Sequence, residues 1–255
     1  QVNKYNLVNL TGISADRAAP SAKYIKENYP TSPSGFYWIK PLANALPIRV
    51  WCDMYYKGGG WVLVMSNCLS GSVAGFSGSN GIAGVDGINF NETIHNNTVK
   101  NGTYNNSLAF SQLVGLKYWE KLGRNMVQFT ATAPVKLSQT NLHSKRALMR
   151  YLRFGDNWQF IDPIYLGGDG AGDQAPGLLT YHMLNGYGWT TADRDADNYT
   201  GNCANLYGGN PWWYGDCWSG SMWGGGNSGS YTDGPWWLGS GTDSHNYMAI
   251  YLKID

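Results

Sequence analysis

Three carboxylates alternate along Asp193-Arg-Asp195-Ala-Asp197-Asn-Tyr199-Thr-Gly201-Asn-Cys203. In an extended or looped backbone, residues i, i+2 and i+4 face one side. That arrangement suits a hard cation such as calcium, which takes six to eight oxygens at about 2.3–2.6 Å. An EF-hand would need Gly at the sixth position and Glu at the twelfth, and neither stands there counted from Asp193 or Asp195. The same spacing also serves a solvated acidic turn whose Asp side chains cap local backbone. Composition leaves both readings open, and the adjacent Cys203 weighs towards the ion. Catalytic patterns are missing: there is no GxSxG, HExxH, P-loop, CxxC or Cys/His cluster. Gly224 to Gly229 spells GxGxxG without a strand before it or a helix after it, and Gly167 to Asp173 is a single unrepeated copy of a calcium-type turn. Both read as plain loop, and the chain is not expected to be an enzyme.

The elements that must carry these residues follow from composition and spacing. At 255 residues the chain is one large domain or two small ones, with 14% charged residues, 34 Gly and 12 Trp. So few charges, against about 25% in ordinary domains, describe a loop-rich, strand-containing binding protein. The net charge of +1 gives no footprint for nucleic acid or an anionic membrane. No apolar run approaches the ~20 residues of a bilayer span, and no cleavable leader opens the sequence, so a soluble, processed chain is expected. Four cysteines, Cys52, Cys68, Cys203 and Cys217, allow three pairings, of which the local one is simplest. Sequons at Asn9, Asn91, Asn96, Asn101, Asn105 and Asn198 fit a secreted glycoprotein.

Spacing predicts a helix over 21–28 and strands over 35–39, 48–54 and 61–65, the last two joined as a hairpin by a Gly-rich turn. A surface loop is expected over 66–106, a helix over 108–122, and strands over 126–132 and 148–154. From residue 165 periodicity is lost until a closing strand at 247–254. Six of the twelve Trp fall between Tyr199 and Trp237, and ordering so irregular a segment costs entropy that a bound ion would offset. Trp212, Trp213, Trp236 and Trp237 read as packing residues.

Several segments carry a family resemblance. Pro47 to Met54 with Gly58-Gly-Gly-Trp61, the stretches Asn185 to Thr191, Asp193 to Ala204 and Trp212 to Cys217, and Ser230 to Gly234 resemble, in order and at near-family spacing, the fibrinogen-related C-terminal domain. The resemblance covers about 20–255, leaves 66–106 unaligned, and points to lectin-type members similar to ficolins and tachylectins. It implies an α+β domain with a small N-terminal hairpin subdomain, a central antiparallel sheet with helices, and a loop-rich calcium-binding C-terminal lobe. The implied divisions are an extension at 1–18 and a domain at 19–255, the latter split into 19–68, 69–164, 165–246 and 247–255.

Carried over singly, Asp195 and Asp197 match side-chain calcium ligands, Tyr199 and Gly201 match carbonyl ligands, and Asp193 matches an outer acid. Tyr207 matches an aromatic pocket wall, Asp216-Cys217 a cis peptide, and Tyr231 and Thr232 the residues closing the pocket. Trp218 stands where the family has His, which replaces a polar pocket contact with an apolar face. Ala22 replaces the family's N-terminal Cys, so the resemblance implies bridges Cys203–Cys217 and, rearranged, Cys52–Cys68. The function implied is a secreted, calcium-dependent lectin of the innate-immunity kind, binding glycans with N-acetylated or otherwise substituted sugars, possible as a homo-oligomer. The alternative is a fibrinogen-like protein-binding or assembly module.

Overall fold

The computed structural model describes residues 11–40, 46–68, 88–89, 110–114, 125–131, 145–169, 183–206, 211–217, 220–221, 236–237 and 247–254. Ser21 accepts the Tyr24 N–H at 3.0 Å through its hydroxyl and so caps α1, Ala22–Asn28. The helix buries Ala22 and Ile25 and ends ahead of Pro30, as its sequence dictates. Strands β1 (Gly35–Ile39), β2 (Ile48–Asp53) and β3 (Trp61–Cys68) run antiparallel, with Cys52 opposite Val62 and Asp53 opposite Trp61. Their turn requires Gly59, at φ 73°, because a Cβ there would strike the Met54 carbonyl.

The same sheet continues through β4 (Ile88–Asn89), β5 (Phe110–Val114), β6 (Asn125–Ala131), β7 (Lys145–Arg150), β10 (Ile164–Asp169) and β13 (Tyr247–Ile254). Its main order is β1-β2-β3-β13-β6-β7-β10, so the last strand lies between β3 and β6. Short pairs β8 (Arg153–Phe154) with β9 (Phe160–Ile161), and β11 (Gly220–Ser221) with β12 (Trp236–Trp237), stand apart from it.

Period-2 alternation sends Val50, Cys52, Val62, Val64, Met149, Ile250 and Leu252 to one face and Trp51, Trp61, Leu63, Leu148 and Tyr251 to the other. Both faces are buried, which is why Trp61-Val-Leu-Val is apolar throughout. The first face packs on α1 and on the tryptophans of the C-terminal half.

Three expectations change. Phe110–Val114, expected within a helix, is a strand paired with β3, whose extension to Cys68 offers it ladder partners. Ile164–Asp169, expected to be irregular, pairs with β7 and takes up its two glycines through a register shift after Tyr165. Cys52 and Cys68 do not pair. Cys52 lies opposite Val62, while Cys68 sits six residues further along β3 opposite Tyr247 and Phe110. At about 3.3 Å per residue that is roughly 20 Å, against the 4.4–6.8 Å between Cα atoms that a disulfide needs. Cys52 is a buried free thiol. The expected loop over 66–106 is described only at 66–68 and 88–89, and the Gly224 to Gly229 pattern lies outside the described residues.

Candidate functional site

The acidic segment is built on an aromatic floor. Trp189, Trp212 and Trp213 are fully buried, with ring centroids 4.4 Å apart for Trp189–Trp213 and 5.5 Å for Trp212–Trp213. Phe160 of β9 extends the stack, 5.0 Å from Trp213, whose indole N–H donates to the Trp158 carbonyl at 2.8 Å. Trp212 and Thr190 exchange main-chain hydrogen bonds of 2.9 and 3.1 Å, which anchors both ends of the site on one bridge.

From that base the chain turns through Asp193 to Gly201. Asp197 Oδ1 accepts the Tyr199 N–H and its Oδ2 accepts the Cys203 N–H, both at 3.0 Å. Asp195 Oδ1 accepts the Asp197 N–H at 3.2 Å, and the Thr190 hydroxyl accepts the Ala196 N–H at 3.0 Å. Asp193 accepts from the Thr191 hydroxyl at 2.9 Å. Gly201 lies so near Tyr199 that a Cβ would come within 3.1 Å of the ring. Asn202 opens α2 (Cys203–Leu206), accepting the Asn205 N–H at 3.0 Å while its amide donates to the Thr191 carbonyl at 2.8 Å.

Cys203 bonds to Cys217, with Cα atoms 5.3 Å apart, and the Asn198 N–H donates to the Gly215 carbonyl at 3.0 Å. These two links bring Asp216-Cys217 to the acidic turn. The peptide bond between Asp216 and Cys217 is trans, not the expected cis. Tyr207, Trp218, Tyr231 and Thr232 lie outside the described residues.

Burial pushes the Asp197 carboxyl above its ordinary range, the N–H groups of Cys203 and Tyr199 oppose that, and the charge of Asp195 adds to it. No Lys or Arg forms an ion pair with either acid among the described residues. Asp195 and Asp197, in one turn with Tyr199 and Gly201, are the residues that could hold a hard cation. Asp193 is engaged with Thr191, and no cluster of three or more His, Cys, Asp or Glu side chains occurs among the described residues. Sequence reasoning missed Thr190, Asn202, Arg194 and Asn157 as supports. Only Asn202, an Asn directly before a helix, carried a readable signal.

Residues 151–254 match the family described as fibrinogen beta and gamma chains, C-terminal globular domain. The chain carries a fibrinogen C-terminal domain. Over 234 residues it is 30% identical to angiopoietin-related protein 2 of Mus musculus, spanning 88% of this chain and 40% of the relative. Over 217 residues it is 30% identical to fibrinogen-like protein 1 of Rattus norvegicus, spanning 80% and 58%. The chain thus spans about two-fifths to three-fifths of the length of these relatives.

The fibrinogen-like globe domain of human ANGPTL2 superposes with a TM-score of 0.55 at 20% identity, covering 88% of this chain and 94% of that one. A lamprey fibrin D-dimer complexed with the peptide Gly-His-Arg-Pro-amide gives 0.60 at 18% identity, covering 93% and 75%. The fold is thus the fibrinogen-like globe, with antiparallel sheets and few helices. The similar proteins are angiopoietin-related and fibrinogen-like, not specifically ficolin- or tachylectin-type lectins as expected. No helix among the described residues is long and apolar enough to cross a membrane.

Proposed function

We propose that this fibrinogen-like chain is a secreted, non-enzymatic protein-binding module whose C-terminal lobe is ordered by one calcium ion. The observation that carries the reading is the family match over residues 151–254, the stretch that holds the acidic turn and its disulfide. Asp195 and Asp197 would supply the charged ligands, and Tyr199 and Gly201 the carbonyls. The ion's role is to neutralise two like charges and fix the loop joined to Asp216-Cys217 by the bridge. The disulfide suits an oxidising, extracellular compartment.

The partner class is a peptide end, because the lamprey fibrin structure similar in fold holds a short peptide. Acetylated sugars, the ligand first expected, fit less well, because the relatives are angiopoietin-related and fibrinogen-like proteins. Calorimetric titration of the whole chain with Gly-His-Arg-Pro-amide and with N-acetylglucosamine, each in calcium and in chelator, tests the reading. Peptide binding that needs calcium is the expected result. Binding of the sugar without the peptide would overturn it.

A further inference from the structure

Arg194 stands between Asp193 and Asp195 in sequence, yet its guanidinium donates to neither. One terminal nitrogen donates to Asn157 Oδ1 at 2.8 Å and to the Asp156 carbonyl at 3.2 Å, and the other reaches the Trp189 carbonyl at 3.4 Å. Asp156 and Asn157 belong to the β8–β9 turn, and Trp189 is joined to it by a main-chain hydrogen bond, so none of the three acceptors is a carboxylate. That turn is itself built: the Gly155 N–H donates to the Gln159 carbonyl, the Asn157 N–H donates to Gln159 Oε1, and the Trp189 N–H donates to the Asn157 carbonyl, each at 2.9 Å. Gly188 admits it closely, since a Cβ there would lie 3.1 Å from Asn157 Cβ and 2.9 Å from Ala196.

A guanidinium one residue from Asp195 and three from Asp197 is a candidate partner for both acids, being permanently charged and matched to carboxylate geometry. Here it is held by neutral acceptors, and the acids keep their charge for something else. We propose that Asn157 and the two carbonyls park Arg194 away from Asp195 and Asp197, so that the turn takes a divalent cation instead of closing on its own arginine. Asn157 is then a positioning residue for cation selectivity, acting through where it holds a competing charge. The inference rests on the calcium reading above.

Three variants of the whole chain, titrated calorimetrically with calcium chloride, separate this from simple support. Asn157→Ala removes the shortest acceptor while leaving the main-chain bond to Trp189, and the freed guanidinium must be displaced before the cation binds. The affinity should fall about three- to five-fold, the size of an exposed ion pair broken first. The deficit should shrink in half-molar salt, which screens such a pair. Asn157→Asp, which holds the guanidinium more tightly, should keep wild-type affinity or exceed it. Asn157→Ala combined with Arg194→Ala should restore wild-type affinity, because no competitor is left. If the double variant binds as weakly as Asn157→Ala, or Asn157→Ala binds like wild type, the parked-competitor inference is wrong while the calcium reading stands. A wild-type chain that takes up no calcium removes both.

Discussion

Replacing Asp197 with Ala tests how the acidic turn is held. The carboxylate accepts two main-chain N–H groups, those of Tyr199 and Cys203, each at 3.0 Å. Hydrogen bonds to charged groups contribute about 1.5–3 kcal/mol each, and partial exposure of Asp197 places the pair near about 2–3 kcal/mol in total. The Tyr199 N–H is exposed enough to turn to water, whereas that of the buried Cys203 opens α2 and is stranded. For a chain of this size, about 2–4 °C per kcal/mol predicts that the variant melts roughly 4–12 °C lower in chelator.

Calcium at a hundred times its dissociation constant adds about 2.7 kcal/mol to wild type only, which widens the gap to about 10–20 °C. Asp197→Asn keeps one acceptor oxygen and turns an amide towards the second donor, so it should lose part of the chelator-state stability and all of the calcium increment. Differential scanning calorimetry of the three proteins, with and without chelator, supplies the numbers. An Ala variant that melts within about 1 °C of wild type in chelator would show that the two hydrogen bonds do not hold the turn.

Burial pushes the Cys52 thiol well above its ordinary range, so iodoacetamide should label it only after unfolding in guanidinium, and labelling of the folded chain would contradict its burial. Burial likewise pushes Tyr37 up to about 12, with its hydroxyl donating to the Pro33 carbonyl at 2.7 Å. The unfolded chain releases that proton near pH 10, so this stability is complete below pH 10 and is lost as pH climbs towards 12. Tyrosinate absorbance should show a late-titrating component that Tyr37→Phe reduces. Gly59→Ala should destabilise by about 2–3 kcal/mol or more, because it meets both a left-handed φ and the Met54 carbonyl; an unchanged denaturant midpoint would refute the turn geometry.

Where hydrophobic alternation was strong, the sequence was readable. β1 and β13 fall where expected, and the cap at Ser21 and the Gly-rich hairpin turn were explicit. Phe110–Val114 was misread because Phe110, Leu113 and Val114 satisfy helical spacing, and only pairing with β3 decides for a strand. Ile164–Asp169 hid behind two glycines whose strand role depends on a bulge against β7. In the acidic turn, the alternation of Asp193, Asp195 and Asp197 was visible in the sequence, whereas the contact of Asn157 with Arg194 was not. Asn157 lies 37 residues from Arg194, on a hairpin whose placement is set by tertiary packing of Phe160 on Trp213. The Cys52–Cys68 pairing failed for the same reason, since register along β3 separates cysteines that chain order brings close.

The position of β13 has a consequence for biosynthesis. The last strand fills the gap between β3 and β6, so neither neighbour has its full set of ladder partners until residue 254 has emerged. Residues 69–246 intervene, and at 5–20 residues per second their synthesis lasts roughly 9–36 s. Throughout that interval β3, apolar on both faces over Trp61-Val-Leu-Val, waits with one edge unmatched, a state in which strands readily join other chains. Removing the eight-residue strand Tyr247–Ile254 should therefore yield aggregate instead of a smaller folded domain.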